Sequence, residues 1–437
     1  MKGKISIKFI GLLCFLLILI NYVYSEGNKG YAIVNAYIFP VTSAPIENGI
    51  LLIKDDKIEA IGKDLEVPEG YEIINAKGLY VYPGLIDSSS FLGLSEIGSV
   101  RATVDTFEIG NFKPHIKAEV AINPHSELIP VTRVNGIATV LVSPRGGTIA
   151  GQSALVNLIG WTPEEMVLKS PAAIHISYPR VIERRRFGAP GEKPQDEAVA
   201  QKQLKELKEF LDRTKRYIEI WEAYNKDKKG SIPEKDLILE AMAPALKGEI
   251  PVVISADKVK EIKGAIELAD GYKMKLILSG ASEGWKCAKF IGEKGVPVIL
   301  SSLFSLPGEK EPYDAIYANA SILNKAGVKV VFSTESASDV RNLPYQAGTA
   351  SAYGLPKEEA LKGITIYPAE IFGVQDKIGS LEKGKIANII LTDGDPLEMR
   401  TQTKHLFIKG QKLPLTSKHI ELYEKFRKRP SIKFFSR

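Results

Sequence analysis

With only five histidines and two cysteines among 437 residues, the chain's capacity for metal and nucleophile chemistry can be surveyed residue by residue. His405 and His419 lie towards the C-terminus, His115 and His125 sit in Pro-containing loops, and His175 ends the apolar run PAAIHIS. No two have the short helical spacing that lets two imidazoles share one ion. His175 therefore reads as a hydrogen-bonded core residue, and the loop pair as solvent-exposed. No Gly-x-Ser-x-Gly elbow is present to raise a nucleophilic serine, and Cys287 falls in a helix-like segment, where a thiol is structural. Hydroxyls and carboxylates remain. Ser89, Ser255, Ser279, Ser301 and Ser302 stand at the ends of apolar strand-like runs, with Asp87, Asp257 and Glu335 beside them. Such a set suits hydrogen bonding to a small polar ligand: a sugar, a peptide or an amino-acid derivative. The carboxylates could also make an oxygen-only site for a hard ion such as magnesium or calcium. Serines that only fill volume, with water between them, would give the same sequence.

A second candidate is the loop Ser143-Pro144-Arg145-Gly146-Gly147-Thr148-Ile149-Ala150-Gly151-Gln152. Gly146 and Gly147 could turn backbone N–H groups towards a ligand, with Arg145 gripping a carboxylate and Gln152 at the loop's end. The Lys-Ser/Thr ending of phosphate loops is absent, which argues against nucleotides. A tight connection that needs positive φ explains the glycines equally well.

These residues need elements to position them. From Tyr31 to Ile61 apolar and polar residues alternate with period two, and Asp55-Asp56-Lys57 marks a hairpin turn. IANIILTDGDP and HLFIKGQKL repeat that texture near the other end. Two all-β pieces at opposite ends of a chain complete one small domain when the termini lie close together. Between them PVVIS, KLILS, PVILS and KVVFST are short and wholly apolar, each followed by a helix-like segment, and LYVYPGLID and GIATVLVSP fit as earlier strands. Continuous apolar strands alternating with helices predict a parallel sheet buried on both faces. No Gly-rich dinucleotide fingerprint follows the first strand, which favours a closed barrel over a doubly wound sheet. Residues 195–224 read as one long helix, with Leu204, Leu207, Leu211, Thr214, Ile218 and Trp221 as its packing stripe. Arg184-Arg185-Arg186 just before it reads as a solvated loop.

The first 25 residues read as a secretory signal: Lys2, Lys4 and Lys8, an apolar run from Phe9 to Ile20, then Val23-Tyr24-Ser25 before Glu26. The run is short for a membrane span, so membrane attachment is expected only if the signal stays uncleaved. Cleavage removes three lysines and no acid, taking the formal charge from +6 to +3, too little to argue for nucleic acid. The mature chain keeps one cysteine, Cys287, so no internal disulfide forms in the expected periplasmic or extracellular location.

Pro83-Gly84-Leu85-Ile86-Asp87 resembles the amidohydrolase superfamily, especially its imidazolonepropionase-like members, in which the first barrel strand ends in PGLID followed by His-x-His. AKGLYVYPGLID, VNGIATVLVSPRGG, GLPKEEALKGITIYPAEIFGV and IGSLEKGKIANIILTDGDPLE follow the family's order over nearly the whole mature chain. The resemblance implies an α/β fold, a (β/α)8 TIM-type barrel with a composite β-sandwich domain built from the N- and C-terminal segments. The expected divisions are a signal at 1–25, β-domain at 26–80, barrel at 81–375, β-domain again at 376–415, and a tail at 416–437.

The family's chemistry uses zinc, held by the two histidines after strand one, histidines ending strands five and six, and an aspartate ending strand eight. Imidazoles hold the ion, the ion acidifies a bound water, and the aspartate takes its proton during attack on a C–N bond. At those positions this chain has Ser89 and Phe91, then Ser255, Ser279 and, for the acid, Glu335. A neutral hydroxyl is a weak ligand for transition metals and phenylalanine is none, so no resident metal is expected beyond a residual divalent ion. The resemblance with these substitutions implies a non-catalytic barrel that binds a small polar ligand, or partners itself or an active homologue. The alternative is a hydrolase with a reduced metal site on Asp87 and Glu335, with or without His175, and with Glu335 as its catalytic carboxylate in the aspartate's place.

Overall fold

Alternating apolar residues make five N-terminal strands: β1 (Tyr31–Ile38), β2 (Ile46–Lys54), β3 (Lys57–Gly62), β4 (Glu72–Asn75) and β5 (Tyr80–Pro83). The structure, a computed structural model, describes residues 30–181, 197–228, 231–301, 303–308 and 311–429. The signal reading, Arg184-Arg185-Arg186 and Ser302 lie outside the described residues. Strands β2 and β3 pair through Lys54 and Lys57 across Asp55-Asp56, with Asp55 at φ +53°, at the turn expected from sequence.

The barrel strands follow: β6 (Leu85–Ser90), β7 (Ile137–Val142), β8 (Ile149–Asn157), β9 (Val167–Ser177), β10 (Val252–Ala256), β11 (Leu276–Gly280), β12 (Val298–Ser301) and β13 (Val330–Ser333). They form one sheet in sequence order. The seam between β13 and β6 is bridged by Glu335 N–H to Ser89 O at 3.0 Å and Phe91 N–H to Ser336 O at 3.1 Å. An eight-stranded, nearly closed barrel results. One expectation fails: the sheet is not wholly parallel. Strand β8 runs antiparallel to both β7 and β9, so the first half of the barrel contains two hairpins where helical crossovers were expected. Strand β8 is not expected from the sequence: Ile149–Gln152 fall in the loop read there, and IAGQSALVN, though buried throughout, mixes Gln, Ser and Asn with its apolar residues.

Strand periodicity sorts the barrel residues into two buried layers. Ile86, Leu141, Leu155, Ala173, Val253, Ile277, Ile299 and Val331 form an inner cluster. Their neighbours, among them Val140, Ile174, Val252, Leu278 and Val330, face the outer helices. Full burial of each such aliphatic contributes roughly 1.5–3 kcal/mol. Ala369, Phe372, Val374 and Ile378 join the inner cluster. Since Ile366–Ile371 is the helix after the last barrel helices, this segment plugs the lumen and leaves the other end, where the parallel strands finish, as the open mouth. The long helix spans Glu197–Asp227 and buries Leu207, Phe210, Leu211 and Thr214, within and beside the expected stripe.

Three C-terminal strands, β14 (Ile389–Thr392), β15 (Thr403–Ile408) and β16 (Gln411–Leu413), complete the N-terminal sheet in the order β16-β15-β14-β5-β1-β2-β3, with β4 on β1. Tyr31 on β1 and Phe407 on β15 have ring centroids 5.1 Å apart although β5 and β14 separate their strands. Neighbouring strands in a flat sheet are about 4.8 Å apart, so this sheet curls over its own core. The two layers of the expected sandwich are thus one continuous hydrogen-bonded sheet. Asn388, ahead of β14, donates to Asn157 Oδ1 at 2.8 Å and Thr139 Oγ1 at 3.2 Å, fastening this sheet to β7 and β8 of the barrel.

Candidate functional site at the barrel mouth

Two residues beyond the inner apolar layer, towards the mouth, the same strand faces carry Ser143, Ser153, His175, Ser255, Ser279, Ser301 and Ser333. A hydrophobic floor therefore gives way to a belt of hydroxyls broken by one imidazole. Ser255 is exposed and Ser301 half-buried although both lie on inward faces, so solvent enters the mouth. His175 is on the belt, but its Nε2 is buried without a hydrogen-bond partner among the described residues, and burial lowers its pKa to about 4. It is neutral near pH 7, and the hydrogen bond expected of a core histidine is missing at that nitrogen.

Glu335 stands over this belt. Its backbone is left-handed, φ +46°, a conformation that costs a non-glycine residue about 1 kcal/mol or more and clusters at functional sites. The Ser301 and Ser279 hydroxyls lie near enough to its carboxylate to favour the charged form. Solvent reaches the side chain, yet desolvation by the barrel walls raises its pKa above the ordinary glutamate range. Arg145 pulls it back, Asp257 pushes it up, and the two serines pull it down. The Arg145 guanidinium lies 4.3 Å from the ring centroid of Phe91, a cation–π contact. Ser89 completes this side, its hydroxyl donating to Ser143 Oγ at 3.3 Å. Ser89, Phe91, Arg145, Ser255, Ser279 and Glu335 thus share the mouth.

Asp87 does not. It is fully buried and accepts from Ser89 N–H at 3.0 Å, Thr334 N–H at 3.2 Å and Thr334 Oγ1–H at 2.5 Å. Expected in the pocket, it instead ties β6 to the end of β13. Burial raises its pKa to about 7, against the pull of these three donors. The 143–152 loop is partly engaged by the chain itself. Arg145 N–H donates to Thr106 O, Ile149 N–H to Asn111 O and Gln152 N–H to Ile116 O, at 2.7–2.8 Å. A strap formed by residues 105–117 thus takes the N–H groups on either side of Gly146 and Gly147, not those of the two glycines. Gly146 and Gly147 have φ of +78° and +74°, and a Cβ on Gly147 would lie 2.8 Å from Gly110 O. Gln152 is buried, its amide donating to Pro114 O at 2.8 Å. Of that loop Ser143 and Arg145 face the site.

Sequence reasoning missed Ser143, Ser153, Ser333 and Thr334; the first three each stand two positions from an inward aliphatic, a signal that was present. His115 and His125 are exposed, as expected, with His125 against Trp161 at 5.9 Å between ring centroids. Among the described residues no three of His, Cys, Asp and Glu are grouped to hold a metal ion, so Asp87, His175 and Glu335 do not converge.

A nearly closed eight-stranded barrel, with its polar groups at one mouth and a sheet domain shared by both termini, defines an amidohydrolase-type scaffold. Residues 235–413 match the amidohydrolase family, covering β10–β13 and the C-terminal strands. The imidazolonepropionase of Fusobacterium nucleatum is 26% identical over 379 residues, 79% of this chain and 85% of that protein. The amidohydrolase tasK of Hapsidospora irregularis is 21% identical over 386 residues, 84% of this chain, but the chain spans only 39% of its length. The crystal structure of an amidohydrolase from Thermotoga maritima superimposes with a TM-score of 0.78 at 27% identity, over 88% of this chain and 99% of that one. The chain thus carries an amidohydrolase-family match over residues 235–413 and is similar over most of its length to imidazolonepropionases and to a solved amidohydrolase, which by homology supports an amidohydrolase-superfamily assignment among hydrolases acting on C–N bonds.

Proposed function

We propose that this chain uses the amidohydrolase barrel as a non-catalytic receptor for a small polar ligand, with no resident transition metal, and that residues 1–25 export it. The single observation behind this reading is the placement of Arg145. Its permanently charged guanidinium covers Phe91 and acts electrostatically on Glu335, where the family's ion would need that carboxylate for itself. A cation there opposes a dication, and the hydroxyls at the family's ligand positions do not fit zinc: Ser89 bonds Ser143, and Ser279 is a neutral hydroxyl. A receptor of this kind works alone as a binding protein or as the silent partner of an active homologue. Elemental mass spectrometry of protein purified without chelators tests it. We expect far less than one zinc, manganese or iron per chain, with magnesium and calcium also lost on dialysis. One tightly held transition metal per chain, together with hydrolysis of an amide or dipeptide that Glu335→Ala abolishes, would restore the enzyme reading.

A further inference from the structure

The mouth holds two opposite charges that do not neutralise one another. Arg145 is seated on the Phe91 ring, and its guanidinium donates no hydrogen bond to another described residue. Glu335 feels its charge, but no direct ion pair joins them. Each is held apart by its own supports. The Ser279 and Ser301 hydroxyls lie near the carboxylate, and Glu335 N–H is bonded to Ser89 O. For Arg145 to reach Glu335 it would have to leave the ring. A planar fork of N–H donors with no acceptor suits a carboxylate. A solvent-reached carboxylate with acceptor positions open suits an ammonium group, which offers three donors.

We propose that Arg145 and Glu335 form a two-point receptor for a small zwitterion of the free amino-acid type, its carboxylate on the Arg145 guanidinium and its ammonium on the Glu335 carboxylate. The ligand is bound intact, between the charges, with the hydroxyl belt beneath it. This rests on the metal-free reading above, because a dication in the mouth would occupy Glu335. It also commits further, to both charges of the ligand.

Isothermal titration of the intact protein with individual free amino acids tests it, followed by the best binder's matched amine, lacking the carboxylate, and matched acid, lacking the ammonium. Each truncation should weaken binding at least about tenfold, since a charged hydrogen bond contributes about 1.5–3 kcal/mol. Arg145→Met and Glu335→Gln should each weaken the zwitterion by a similar factor. Glu335→Gln should also remove any preference for the ammonium-bearing ligand over the matched acid. Should either variant fail to fold, the truncated ligands on the unaltered protein still decide. No saturable binding of any amino acid, or equal binding of zwitterion, amine and acid, overturns the proposal. Metal content read on the same preparation separates the two claims. Zwitterion binding that survives chelation of a stoichiometric metal sinks the metal-free reading and leaves this receptor standing. Metal-free protein that ignores zwitterions does the reverse.

Discussion

Asp87 and Glu335 are carboxylates at the same end of the barrel, and burial pushes the pKa of both upwards. Their surroundings differ in one respect that decides their roles. Asp87 has every contact inside the protein: two backbone N–H groups and the Thr334 hydroxyl converge on it, and no solvent reaches it. Glu335 is approached by hydroxyls from one side and solvent from the other. A perturbed carboxylate is thus not by itself a functional one. At the seam it is a structural clamp between strands distant in sequence; in the mouth it stays open to solvent.

Removing the clamp should be the largest stability effect. Asp87→Ala leaves the Thr334 hydroxyl and two backbone N–H groups buried without acceptors, which should cost about 3–5 kcal/mol in urea denaturation. A loss below about 1 kcal/mol would break the contrast. Asp87→Asn sharpens it through pH. The folded-state pKa of about 7 lies above the ordinary value of 3.8. The stability tied to the protonated form is therefore fully present below about pH 4 and is lost as pH rises through 7. The asparagine cannot ionise, so the variant should gain on wild type by a few kcal/mol between pH 4 and 8. Parallel pH profiles for the two proteins would mean that Asp87 titrates normally.

Much of this arrangement could be read before any coordinates. The apolar runs gave the barrel strands, and the period-two segments at both ends gave the shared sheet. PGLID and the strand-end substitutions Ser89, Phe91, Ser255, Ser279 and Glu335 gave the rim of the mouth. What stayed hidden depends on tertiary contact. Strand β8 is buried throughout although Gln, Ser and Asn are mixed with its apolar residues. The diversion of Asp87 needs Thr334, about 250 residues away in sequence. The glycines of the 143–152 loop were visible, but the strap that presses on them was not. Its hydrogen bonds are backbone to backbone and carry little side-chain signature.

The strap allows an intermediate test. Gly147→Ala places a methyl 2.8 Å from Gly110 O and 2.9 Å from Asn111 O at a φ of +74°. Both obstacles are backbone, so the strain cannot be relieved by a rotamer, and about 1–3 kcal/mol should be lost. Thermal melts would show it, and an unchanged melting temperature would mean the strap is not packed against the loop as described.

The smallest stability effect should come from the mouth. Glu335→Gln removes a charge that desolvation disfavours, and the amide oxygen leaves an acceptor near Ser279 and Ser301. Because the folded-state pKa is raised, wild type loses stability relative to the glutamine variant as pH rises through it, and the two converge in acid. The net change near neutral pH should stay within about 0.5 kcal/mol, the range of substitutions that break no buried network. If Glu335→Gln destabilised the fold as strongly as Asp87→Ala, the mouth carboxylate would be a second clamp. The left-handed backbone at Glu335 would then be serving the barrel's closure and not a ligand. A near-neutral result makes its strain and its open flank hard to explain by folding alone.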